Sequence, residues 1–287
     1  MDLRARRSIV RVAVAVALIV AVFALLTSAY NPRGSLQVEG EQPQSESSVV
    51  LDVTILDIEP AEYSARLRVR IVDVDPALLN SDGRLIEPLR VAITSGDGTD
   101  DVVFPAGSAL GRAEVTIGLT GVESSYPFDR HTAQVQVNAA LPGETDSALA
   151  RAYLTSSVLV NGGSAGWDTT AVVQGQGSDD VLIDVLTVRS GTVKVAAFLI
   201  VAIGLMLAVS ALTIGLAVEF GFQRVDSSIL GWGAGLFFAL LALRFYLPGD
   251  PPIGSAIDVF GYLWIIVFAF AGLSLTVWSW LQRPRLE

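Results

Sequence analysis

Cysteine is absent from this chain, and histidine and lysine occur once each, as His131 and Lys194. Without cysteine there is no disulfide framework, no Cys-ligated zinc and no Cys nucleophile. Any domain outside the cytoplasm must therefore hold itself by its core alone, and about 140 residues suffice for that. Charge is scarce as well. Only 17% of the 287 residues are charged and 52% are hydrophobic, whereas a soluble protein carries roughly 25% charged residues. The deficit points to membrane segments.

The charge that is present is unevenly placed. Residues 31–190 hold 23 Asp and Glu against 10 Arg, a net −13, and the remainder is net +3. So acidic a region repels nucleic acid and anionic headgroups, and no nucleic-acid partner is expected. Ordinary solubility explains the acidity without a dedicated acidic site.

Four apolar runs are long enough to span a bilayer: residues 9–29, 191–217, 229–247 and 258–281. A cleaved signal peptide ending near Thr27-Ser28-Ala29 competes for the first, but the run exceeds the usual h-region. Basic residues mark alternate ends: Arg4, Arg6 and Arg7 in 1–8, Arg224 in 218–228, and Arg283 and Arg285 in 282–287. The positive-inside rule then puts these three segments in the cytoplasm, with 30–190 and the 248–257 loop outside, as in a multi-pass inner-membrane protein. Trp232, Trp278 and Trp280 would form the inner aromatic belt, and Tyr246, Tyr262 and Trp264 the outer one. Gly231 and Gly235 stand four apart, which permits close helix approach; packing within the monomer is the first reading and self-association the second. Arg244, near an outer helix end, should snorkel or pair, with Asp250 and Asp258 as its natural partners.

Residues 30–48 are rich in Gly, Pro, Gln, Ser and Glu and read as a flexible linker. From Val49 the period becomes two. Val49, Leu51, Val53 and Ile55 alternate with Val50, Asp52 and Thr54, and Arg66, Arg68 and Arg70 mark the wet face of a second strand. Further strands are expected at 89–94, 112–119, 132–138, 153–160, 169–173 and 181–188. Eight short strands with regular turns over 49–190 predict an antiparallel β-sandwich.

Chemistry-bearing motifs are weak. Gly162-Gly163-Ser164-Ala165-Gly166 fits G-x-S-x-G, but it joins two strands, and the sole histidine precedes it where the hydrolase order needs one after. Asp97-Gly98-Thr99-Asp100-Asp101, and the looser set Asp73, Asp75, Asn80 and Asp82, lack calcium-loop spacing. Lys194 reads as a membrane-interface residue rather than as half of a dyad with Ser190. Nothing singles out an enzyme, a metal or a cofactor.

Two segments carry a resemblance: Tyr126-Pro127-Phe128-Asp129-Arg130-His131, and Leu243 through Gly254 running on to Asp258 and Trp264. Together with the helix layout, they resemble the uncharacterised bacterial membrane proteins grouped as domain of unknown function 4436, over nearly the whole chain. That implies layout and location but no activity. The chain is also remotely similar to pentameric ligand-gated ion channels, in the Tyr126–Asp129 loop, in Gly166-Trp167-Asp168, in Arg189 before a helix and in the Leu247-Pro248 turn. In those channels the loop aspartate meets the pre-helix arginine at the membrane surface. The resemblance thus implies a pair between Asp129 and Arg189, with Tyr126, Pro127, Phe128, Arg244, Pro248, Asp250 and Asp258 around a domain–membrane interface. A fourth C-terminal helix and a polar pore stripe are missing. An ordinary turn, with Phe128 in a core and Asp129 capping local amides, would also explain the loop. The expectation is a non-enzymatic membrane protein whose β-sandwich senses or binds something; a homo-oligomeric channel-like protein and an extracytoplasmic enzyme or accessory subunit are the alternatives.

Overall fold

The structure is a computed structural model that describes residues 34–141, 152–223 and 226–282 and isolated positions within 17–28. The expected first helix, 9–29, otherwise lies outside the described residues. The chain divides into two units. A β unit takes in Asn31–Glu123 and Phe128–Ser190; a helical unit takes in Ser124–Pro127 and the chain from Gly191 onward.

Alternation builds the β unit. In β2 (Val49–Glu59) the buried Val49, Leu51, Val53 and Ile55 face the core, and in β3 (Ser64–Val74) Ala65, Leu67, Val69 and Ile71 do the same. With β6 (Arg112–Gly118) and β10 (Ser156–Gly162) they form a four-stranded sheet, ordered β10-β2-β3-β6. The facing sheet runs β1-β11-β12-β8-β4-β5, from β1 (Ser35–Gly40), β11 (Trp167–Gln174), β12 (Val181–Arg189), β8 (Arg130–Leu141), β4 (Leu89–Ser95) and β5 (Gly98–Phe104). The short β7 (Thr120–Gly121) and β9 (Ala152–Leu154) add to β8. Leu51 and Val69 from one sheet and Val91, Val135, Val137 and Ile183 from the other share a single core, the arrangement of a sandwich.

Three expectations are corrected. The linker at 30–48 is partly strand: Ser35–Gly40 pairs in parallel with Asp168–Val173. An edge strand is held by backbone bonds and needs few apolar side chains, so composition hid it. Here Leu36 alone packs on the core, and Ser35 Oγ donates to Asp168 Oδ1 at 2.6 Å. The stretch 153–160 is two strands in different sheets. Thr155 is where the chain changes sheet, its carbonyl accepting from Val49 N at 3.1 Å and its hydroxyl from Ser48 N at 3.0 Å. The sandwich is also not wholly antiparallel, because β1 on β11 and β10 on β2 are parallel pairs.

The buried Gln176 mimics a neighbouring strand on β10. Its Oε1 accepts from Val158 N at 2.8 Å and its Nε2 donates to Val158 O at 2.7 Å.

The helical unit holds α1 (Gly191–Glu219), α2 (Ser227–Arg244) and α3 (Leu263–Gln282), the last preceded by a π-helical turn at Asp258–Tyr262. With that turn included, the spans are 29, 18 and 25 residues, long and apolar enough to cross a membrane. Small residues bring α1 and α3 together. A methyl group on Gly215 would come within 2.4 Å of the Gly272 carbonyl oxygen, and one on Gly272 within 2.5 Å of the Ala211 backbone. Such backbone contact lets dispersion forces and close packing hold helices where lipid offers no hydrophobic drive.

Candidate functional site

At one end of the larger sheet β11 starts, β12 ends and β8 starts, so Trp167, Arg189 and the residues around Arg130 fall into one row. Asp129, just ahead of β8, is buried there. Arg189 Nε donates to its Oδ2 at 3.0 Å and to its Oδ1 at 3.3 Å. His131 Nε2 lies 3.2 Å from the same Oδ2. The guanidinium carbon of Arg189 sits 4.0 Å over the Trp167 ring, and His131 meets that ring edge-on at 5.6 Å. One carboxylate thus holds an arginine and the only histidine inside the sandwich.

Burial is the largest influence on Asp129 and by itself favours the neutral acid. The His131 hydrogen bond and the charge and hydrogen bond of Arg189 outweigh it, and the pKa lies below the ordinary carboxylate value of 3.8. Asp129 is therefore a buried anion with two partners. His131 is packed from behind by Gly121, where a Cβ would stand 2.3 Å from Nδ1. Gly121 leaves room that no other residue could.

The preceding loop belongs to the helical unit. Tyr126, joined to Pro127 by a cis peptide bond, is fully buried there among Val193, Ala197, Leu247, Ile257 and Tyr262. Its hydroxyl donates to the Pro248 carbonyl at 2.8 Å. Phe128 is 59% exposed, which corrects the reading of it as a core residue: alternation leading into β8 spends the inward position on Asp129.

Arg244 pairs with Asp258, its Nη2 donating to Oδ2 at 2.9 Å and to the Pro251 carbonyl at 3.0 Å. Gly254 N donates to the same carboxylate at 2.9 Å. Asp250, the other expected partner, is exposed with φ 42°; the turn at Ile253–Gly254, closed by Ser255 N donating to the Pro252 carbonyl, leads the chain to Asp258, which takes Arg244 instead. Tyr262, expected in an aromatic belt, is buried beside Tyr126, because the π-turn rotates it inward. No described residue outside α2 comes within 4 Å of the place a methyl group on Gly231 or Gly235 would take.

The remaining motifs have ordinary local roles. Ser164, between β10 and β11, donates to Asp57 at 3.1 Å. Asp101 pairs with Arg90, Asp75 caps Ala77 N at 2.9 Å, and Asn80 accepts from Asp82 N and Arg84 N, both at 3.0 Å. Among the described residues no three His, Cys, Asp or Glu side chains converge as a metal site.

Likeness to known proteins paired Asp129 with Arg189 and singled out Trp167 and His131, but it did not place Trp167 and His131 around the pair and gave no signal for Gly121. The short spacing of Asp129 and His131 was legible; that both turn inward was not, since one lies before the strand and one within it.

Comparison with known families divides the chain where its architecture divides. Residues 189–283 match a family described as Domain of unknown function (DUF8686), so the helices match a separate family description and the match to the family seen in the sequence is narrower than the whole chain. The two matches meet at Arg189. No curated protein matches, and neither family match extends to the ligand-gated channels. Residues 38–189, more than half the chain, match the family described as Domain of unknown function (DUF4436), and to that family the protein belongs.

Proposed function

We propose that this is a non-enzymatic, multi-pass protein of the inner membrane. Its β-sandwich lies outside the cytoplasm, binds a ligand or partner, and passes that event to its helices through Asp129 and Arg189. The observation that carries the reading is where the buried pair falls along the chain. Among the described residues the backbone passes between the units at Glu123–Ser124, Pro127–Phe128 and Ser190–Gly191, and Asp129 and Arg189 flank the last two of these passages. Their bond ties the passages together, so a shift of β8 against β12 must reach both connections. Orientation is supported by Arg224, Arg283 and Arg285 at alternate helix ends. The exposed Trp278 and Trp280 near one end of α3 and Trp264 near the other support it too.

Amide exchange of the detergent-solubilised protein tests the coupling. Asp129→Asn should raise exchange in the first turns of α1 while leaving β2 and β3 protected. Unchanged exchange in α1 would reduce the pair to a local strut of the sandwich.

A homo-oligomer is the second reading, favoured by the Gly231 and Gly235 face on α2, which no described residue covers. Native mass of the solubilised protein should then exceed the monomer and fall for Gly235→Leu; a monomeric mass for the parent protein removes it.

A further inference from the structure

The two open faces of the sandwich differ in chemistry. On the smaller sheet Arg66, Arg68 and Arg70 pair with Asp57, Glu59, Glu114 and Asp52, a solvated ionic surface. The larger sheet is hollowed instead. A depression of 820 Å³ lies over β8, β12 and β11, walled by the Ser95-Gly96-Asp97 turn. A second of 440 Å³ adjoins it and shares Thr94 and Gln136. Volumes of this order fit oligomeric ligands of a few rings.

We infer that this groove binds an uncharged, polyhydroxylated chain, that is, a neutral glycan. Its hydrogen-bonding groups are mostly amides and hydroxyls, Gln134, Gln136, Thr132 and Thr170 among them, set between aliphatic side chains such as Leu182 and Leu186. Amides both donate and accept, as sugar hydroxyls do, and the aliphatic strips suit the C–H faces of the rings. Tyr153, half-exposed in the second depression, adds an aromatic surface with a polar tip.

Charge narrows the choice. Asp97 and Asp184 line the larger depression with no Arg or Lys among its described walls, and Arg90 in the smaller one is taken by Asp101. Asp184 accepts from Gln134 Nε2 at 3.0 Å and from Gln174 Nε2 at 3.4 Å. A carboxylate offers about four acceptor positions, so it can take hydroxyl donors as well. Anionic ligands are repelled, and O–H donors complement the lining. An extended peptide is disfavoured over the larger depression because β8, β12 and β11 are each paired on both sides, leaving no backbone edge there for strand addition.

The inference rests on the reading that the sandwich binds a ligand, but not on the Asp129–Arg189 coupling, since the groove uses outward-facing residues of β8 and β12 whereas Asp129 and Arg189 are buried. The test uses the full-length protein in detergent and a panel of neutral hexasaccharides built of glucose, mannose or N-acetylglucosamine, measured by calorimetry. At least one should bind, and Gln134→Ala with Gln136→Ala should weaken it about tenfold or more, equivalent to ~1.4 kcal/mol, with thermal unfolding unchanged. Leu186→Arg, which fills the groove, should abolish binding, and Arg68→Ala on the opposite face should not alter it. The proposal is overturned if none of the panel binds, if the groove variants bind as the parent does, or if a Lys-rich decapeptide binds where the sugars do not.

Discussion

Arginine–carboxylate pairs occur in two settings in the sandwich. On the open face of the smaller sheet Arg66 meets Asp57 at 3.2 Å with both side chains roughly half exposed. At the end of the larger sheet Arg189 meets Asp129 at 3.0 Å with both almost wholly buried. The bonds are similar in length and opposite in consequence. In water each ion keeps a good alternative when its partner is lost; inside, the survivor is stranded without solvent. Distance does not distinguish a surface accident from a structural commitment here, whereas burial does.

The largest expected effect breaks the buried pair. Asp129→Ala and Arg189→Ala should each cost roughly 3–5 kcal/mol in denaturant unfolding, and the double variant should be little worse than either single one. Simple additivity would show that the two do not interact and would erase the contrast with the surface.

Packing around the pair is the next test. Gly121→Ala should destabilise by about 1–3 kcal/mol, the usual cost of forcing extra volume into a filled interior, because its methyl group meets His131 Nδ1. A neutral result by calorimetry would mean that the cluster has slack and that its burial is not close-packed.

Acid sharpens the same comparison. The pKa of Asp129 lies below its ordinary 3.8. The folded state thus holds fewer protons than the unfolded one in this range, and the stabilisation is complete above that ordinary value and lost as pH falls through the depressed one. Asp52 follows the same sign: burial is the largest influence and opposes the shift, but Asn161, Arg70 and Thr54 outweigh it with their hydrogen bonds. Melting temperature against pH should therefore decline on the acid side, and Asp129→Asn should flatten that decline. An unaltered slope would assign the acid sensitivity elsewhere.

The smallest effect belongs to the surface. Arg66→Ala should change stability by only about 0–1 kcal/mol, less still in high salt. A loss comparable to that of Arg189→Ala would collapse the distinction between the two settings.

Much of this architecture is legible along the chain, because it rests on periodicity. Val49, Leu51, Val53 and Ile55 repeat every second residue, which commits β2 to one buried face, and the C-terminal apolar runs commit to helices whose length follows from 1.5 Å per residue. The Asp129–Arg189 pair was legible only through likeness to known proteins, since no local rule joins residues 60 apart. Other features have no local signature. Ser35–Gly40 became a strand through backbone bonds to β11, and Thr155 divides one apparent strand between two sheets. Arg244 selected Asp258 over Asp250 because the Ile253–Gly254 turn carries one carboxylate back and leaves the other outside. Sequence by itself determined which residues seek the interior and with what period, since solvation and backbone geometry act residue by residue. Which buried group meets which, and which sheet a strand joins, was decided only by the tertiary structure, because those contacts depend on where distant segments converge.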